Sequence, residues 1–105
     1  MATELSFNAV TTNADGSALT LPVTYTALID TVNPPVKAYP IQANIAPVAG
    51  LIIVTFAELG FVPAANQKYF VEVTATDSAG TSGPSNEATF TNTVVPSEPT
   101  GLKVG

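Results

Sequence analysis

The reading of one stretch, "KYFVEVTATDSAGTSGPSNEATF" from Lys68 to Phe90, decides the fold. Its opening half alternates: Tyr69, Val71, Val73 and Ala75 fall on one face, and Phe70, Glu72, Thr74 and Thr76 on the other. A period of two with one apolar side describes a strand with one buried and one wet face. "SAGTSGPS", Ser78 to Ser85, then supplies the chemistry of a flexible loop. Alternation resumes in "NEATFTNTV", where Ala88, Phe90 and Val94 oppose Glu87, Thr89, Thr91 and Thr93. Strand, loop and strand follow one another with no helical period between them.

The same pattern runs outward from this stretch. "ELSFNAV" sets Leu5, Phe7 and Ala9 against Glu4, Ser6 and Asn8, and "VTYTALID" sets Val23, Tyr25, Ala27 and Ile29 against Thr24, Thr26 and Asp30. Threonine recurs on the outward positions because its branched Cβ suits a pleated strand. "NADGS" and "NPP" separate the segments with turn residues. Pro40 inside "KAYPIQAN" cannot donate to a ladder, which places that segment at a sheet edge. "VTFAELGF" offers at most a single helical turn, and its β-branched lead-in and Gly60 argue for an extended reading. Short alternating strands with regular turn signals predict an all-β sandwich or small barrel.

Composition bounds the chemistry. The chain has 105 residues, enough for one core. Its net charge is −5, its only cations are three lysines, and only 10% of residues are charged. That balance argues against a nucleic-acid backbone or an anionic membrane as partner, since both need clustered Lys and Arg. Cysteine is absent, which removes disulfides, thiolate metal sites and cysteine nucleophiles. The N-terminal "MATELSF" shows no secretory leader pattern, and the apolar run "LIIV" is far too short to span a bilayer. Histidine is absent too, and the acidic residues are scattered with no pair at a dyad spacing, so no catalytic residues, cofactor or metal are expected. A loop calcium site at Asp15 or Asp77 lacks the dense oxygen ligands that such sites show.

"Y-x-V-x-V-x-A-x-D-x-x-G-x-S-G-P-S-N-E-A", Tyr69 to Ala88, resembles the second half of a fibronectin type III domain: strand F, a Gly/Ser loop, and a Pro-Ser pair opening strand G. "LSFNA" resembles the family's strand B, with Phe7 where tryptophan is usual, and "FVP" at Phe61 to Pro63 resembles the turn before strand F. The spacing from Pro63 to Tyr69 is longer than the family's usual one; the resemblance implies a tyrosine corner at Tyr69. It also implies an immunoglobulin-like sandwich of about seven strands. The strand A signature "P-x-x-P-x-x-L-x-V" does not precede strand B. It lies in "VVPSEPTGLKVG", as Pro96, Pro99, Leu102 and Val104. The expected organisation is thus a body, residues 1–93 (strands B to G), and a proline-stiffened tail, residues 94–105, that carries strand A.

Three roles compete for that tail: the opening of a following domain, a strand folded back on its own body, or a strand donated to a neighbouring copy. Residues 94–99 span at most about 20 Å, while a sandwich strand is itself about 20–25 Å long. Return within the chain is therefore marginal, and donation to a second copy is the expectation. The segment Leu51 to Phe56 is apolar on both faces: either the second face lies under a loop or the long C–C′ segment, or it marks Ile52, Val54 and Phe56 as a further candidate subunit interface. In the loop, Asp77, Ser78, Gly80, Thr81 and Ser82 are binding candidates, because loops on a rigid sandwich are good binding positions.

By the same resemblance, small acidic cysteine-free domains of this kind are similar to those that decorate bacteriophage capsids or tails. The expectation is a non-catalytic structural protein of a virion surface, a homo-oligomer bound to a larger protein lattice. The alternative is an adhesive or accessory module of a bacterial surface protein or secreted glycosidase, extracellular or at the cell surface.

Overall fold

A computed structural model describes residues 3–19 and 22–105. Two antiparallel sheets carry the chain. The elements are β1 (Glu4–Asn8), β2 (Thr24–Asp30), β3 (Ala38–Pro40), β4 (Leu51–Thr55), α1 (Phe56–Leu59), β5 (Lys68–Asp77), β6 (Gly80–Thr81) and β7 (Ala88–Thr91). One sheet pairs β1 with β4, Phe7 opposite Ile52 and Leu5 opposite Val54. The other runs β3-β2-β5, with β6 and β7 along the far side of β5.

Alternation dictates what each sheet buries. Tyr25, Ala27 and Ile29 of β2, Tyr69 and Val71 of β5, and Ile52 and Val54 of β4 meet in one core with Ile41, Phe56 and Phe61. Leu5, Phe7, Val73, Ala75 and Phe90 pack against it half-buried. Phe61 is the hub of its aromatic part, with ring centroids 5.1 Å from Phe56, 5.1 Å from Tyr69 and 5.4 Å from Tyr39. Edge-on contacts at such distances suit the opposed charge of ring face and ring rim. The outer face of the larger sheet is polar where threonines pair across strands, Thr24 with Thr76 and Thr26 with Thr74.

The segment "VTFAELGF" departs from its extended reading. It turns once as α1, because Thr55 and Glu58 form a capping box: the Thr55 hydroxyl accepts from the Glu58 N–H at 3.1 Å, and the Glu58 carboxylate accepts from the Thr55 N–H at 2.9 Å. Gly60, at φ 72°, ends the turn in the left-handed region instead of preventing it. Pro40 sits in β3, an edge strand, as its missing N–H requires.

Candidate functional site

The residues singled out by the sequence fall in three places: the tail, β4 with the start of α1, and the loop end of β5.

At β4 the structure reverses an expectation. Ile52, Val54 and Phe56 are buried inside the sandwich and present no surface to a partner. The register explains this, since the residues opposite the inward Leu5 and Phe7 are Val54 and Ile52. The apolar residues left outside are Leu51 and Ile53, opposite Asn8 and Ser6 and each only a little over one-third exposed.

The β1 edge is open. Ala9 N–H donates to Gly50 O, and Thr3 O accepts from Phe56 N–H, both at 2.9 Å. Alternation then turns the backbone groups of Thr3, Leu5, Phe7 and Ala9 toward β4 and those of Glu4, Ser6 and Asn8 away from it. Among the described residues no strand pairs with that second side. The next N–H in the outward series, that of Val10, is already taken by Tyr25 Oη at 3.0 Å. The Tyr25 ring stands edge-on to Phe7 at 5.0 Å. Beside this edge runs a groove of about 310 Å³, with Phe7, Val10 and Tyr25 on one side and Ser82 to Asn86 on the other.

The tail is tethered at its base and exposed beyond it. Asn92 is buried, and its amide donates to Pro63 O (3.3 Å) and Ala64 O (3.1 Å). Asn66 N–H donates to Asn92 O, and Asn66 Oδ1 accepts from Val94 N–H at 3.0 Å. Ala64 N–H also donates to Tyr69 Oη at 2.7 Å, the corner that the resemblance implies. Sequence reading missed Asn66 and Asn92; the one signal available was a polar residue within an alternating threonine strand. From Thr93 to Gly105 every residue is exposed, Leu102 at 89% and Val104 at 100%, together with Pro96 and Pro99. The fold-back reading is therefore not what a single chain adopts. The tail projects, and the chain measures 74 Å along its longest axis against 29 and 20 Å across.

The loop end of β5 is more ordered than a flexible loop. Asp77 pairs with Gly80 across a tight turn, and Asp77 Oδ1 accepts from Ala79 N–H at 2.9 Å. The hydroxyls of Ser82 and Ser85 accept from Ala75 N–H (3.0 Å) and Val73 N–H (2.9 Å), where the chain departs from the ladder at Gly83 and Pro84. Thr81 shares a hydroxyl contact of 2.8 Å with Thr76. Of the loop candidates, Thr81 and Ser82 bond to β5 through their hydroxyls and Gly80 pairs with Asp77, and all three stay exposed, as does Ser78. A groove of about 260 Å³ separates this hairpin from the loop of Val10 to Leu19.

Electrostatics here are local. The Ser17 hydroxyl and N–H hold the Asp15 carboxyl below its ordinary value. The Thr31 N–H does so for Asp30, and the Thr55 N–H and hydroxyl for Glu58. Among the described residues no three His, Cys, Asp or Glu side chains gather as a metal site would need, and no helix is long and apolar enough to cross a membrane. No family model, no curated protein and no solved structure matches the chain.

Proposed function

We propose that this chain is a fibronectin type III-like, immunoglobulin-like module with a non-catalytic structural role, which assembles with copies of itself through its tail and sits on a larger protein lattice. The pairing order supports the fold assignment. With β1 as strand B, β2 as C, β3 as C′, β4 as E, β5 as F and β7 as G, the sheets pair B with E and C′-C-F-G. The Tyr69 hydroxyl bonded to backbone upstream supports it as well. In this assignment the empty place is that of strand A, beside β1.

The observation that carries the function is the coexistence of an open β1 edge and an exposed strand-like tail in one chain. An unpaired edge is a template for another strand. Burying Leu102 and Val104 would contribute about 1.5–3 kcal/mol each, and the prolines limit the entropy lost on docking. A head-to-tail contact of this kind closes into a ring or runs on as a filament. A bacteriophage capsid or tail surface is the lattice we favour, by analogy with small acidic domains of that kind. Neighbouring genes for capsid or tail proteins would agree with it, and genes for secretion or surface anchoring would contradict it.

The solution mass of the intact chain, compared with a chain ending at Val95, tests the assembly. The intact chain is expected to self-associate and the shortened one to be monomeric; equal masses would remove the proposal. The second reading, an adhesive or accessory module, is favoured by the groove between the Asp77–Gly80 hairpin and the loop of Val10 to Leu19. Binding to host cells or glycans that survives loss of the tail would select it.

A further inference from the structure

The exposed β1 edge specifies how a strand must dock on it. We infer that residues 99–105 of a second copy seat antiparallel beside β1, with Leu102 opposite Phe7, Lys103 opposite Ser6 and Val104 opposite Leu5. This rests on the assembly reading above and deepens it to a register.

Pattern, backbone and charge select this arrangement together. Leu5 and Phe7 point into the sandwich, and Glu4, Ser6 and Asn8 point out. Opposed residues in a sheet share a face, so a slip of one residue would put Leu102 and Val104 on the wet side. A slip of two in either direction sets Val104 against the polar Thr3 or Leu102 against the small Ala9, and each loses one large apolar partner. Only the stated register gives both tail residues a large apolar partner. It also sends Leu102, the larger of the two, into the groove of about 310 Å³ that Phe7, Tyr25 and Ser82 to Asn86 enclose.

The backbone agrees. Glu4, Ser6 and Asn8 carry the outward backbone groups, and in this register they face Gly105, Lys103 and Gly101. Pro99 then falls opposite Val10. Pro99 has no N–H to give, and the Val10 N–H is already bound to Tyr25 Oη at 3.0 Å. The pair that cannot form a full ladder bond lies where the edge has stopped asking for one. A parallel strand would carry Pro99 beyond the start of β1 and lose this match. Lys103, outward beside Ser6, comes diagonal to Glu4, a charge pair of favourable sign. Gly101 stands at φ 72° in the exposed tail and must swing to an extended conformation on docking, which glycine permits.

The cysteine-free chain allows a direct test by disulfide trapping. Opposed hydrogen-bonded residues lie about 5.5 Å apart at Cα, within disulfide reach. Three double variants of the full chain are oxidised under mild conditions: Ser6→Cys with Lys103→Cys, Glu4→Cys with Gly105→Cys, and Asn8→Cys with Gly105→Cys. The first two are expected to give covalent multiples of the 10.7 kDa chain on a non-reducing gel, and the third to remain single. Trapping of the third in place of the second would overturn the antiparallel seating. Trapping without a rise in mass would mean closure within one chain and would overturn donation. An intact chain that self-associates but traps in none of the variants would overturn this seating and leave the assembly reading standing. An intact chain that stays monomeric would overturn both.

Discussion

The two ends of the tail's attachment differ sharply. At its base, Asn92 and Asn66 tie three segments together: the turn at Pro63 and Ala64, the start of β5, and the chain leaving β7. Tyr69 closes the same corner through its hydroxyl. The Asn92 amide N–H groups there are spent, and among the described residues Asn92 Oδ1 is the one buried side-chain polar atom with no protein partner. At the β1 edge the reverse holds: outward backbone groups and half-buried apolar side chains stand beside a groove. A chain that satisfies its backbone so fully at one corner and not along one edge distinguishes what it keeps closed from what it leaves available.

That contrast can be broken by experiment. The largest effect is expected in the closed region's aromatic core. Phe61→Ala removes the ring that Phe56, Tyr69 and Tyr39 pack around and should cost about 3–5 kcal/mol in denaturant unfolding. A loss under 1 kcal/mol would show that the cluster does not anchor the fold. Asn92→Ala and Tyr69→Phe each remove a buried side chain's hydrogen bonds to the backbone of Pro63 or Ala64 at the half-buried corner. Each should cost about 0.5–1.5 kcal/mol per hydrogen bond lost, measured by the same unfolding curves. Thr55→Ala removes the cap of α1 and should cost about 1 kcal/mol.

The open region should behave differently. Ending the chain at Val95 is expected to shift the stability of dilute, monomeric protein by less than about 0.5 kcal/mol, as for surface changes that touch nothing. At concentrations where the intact chain associates, the intact chain should unfold later and the shortened one should not. A concentration-independent loss on truncation would mean that the tail packs on its own body after all.

The smallest effect is in pH. Asp15, Asp30 and Glu58 are held below ordinary values of 3.8, 3.8 and 4.5 by hydrogen bonds present only in the folded chain. A depressed folded value means the unfolded chain binds the proton more readily. The stabilisation is therefore complete above the unfolded values and fades as pH falls through the folded ones. Unfolding midpoints should be level from neutrality down to about pH 5 and decline in more acid solution. Glu58→Gln should flatten part of that decline. A decline that begins near neutrality would point to other groups.

Much of the fold was legible because strand periodicity is local. Tyr25, Ala27, Ile29, Tyr69 and Val71 are buried as their alternation requires, and Pro40 lies on an edge strand for want of one N–H. Local chemistry was misread at Thr55 to Glu58, where a capping box outweighed a β-branched lead-in. It was misread again at Ser82 and Ser85, whose hydroxyls replace ladder carbonyls instead of loosening a loop.

For Leu51 to Phe56, alternation separated two apolar faces but could not say which lay inside. That choice is made by the opposing strand, through Phe7 against Ile52 and Leu5 against Val54. By itself the sequence determined an all-β chain, its longer alternating strands and the apolar residues they bury. Tertiary structure alone decided that the tail leaves the body, that Asn92 and Asn66 hold its base, and that β1 keeps one side unpaired. These depend on which segments meet across the sandwich, and a single strand's pattern carries no record of its neighbours.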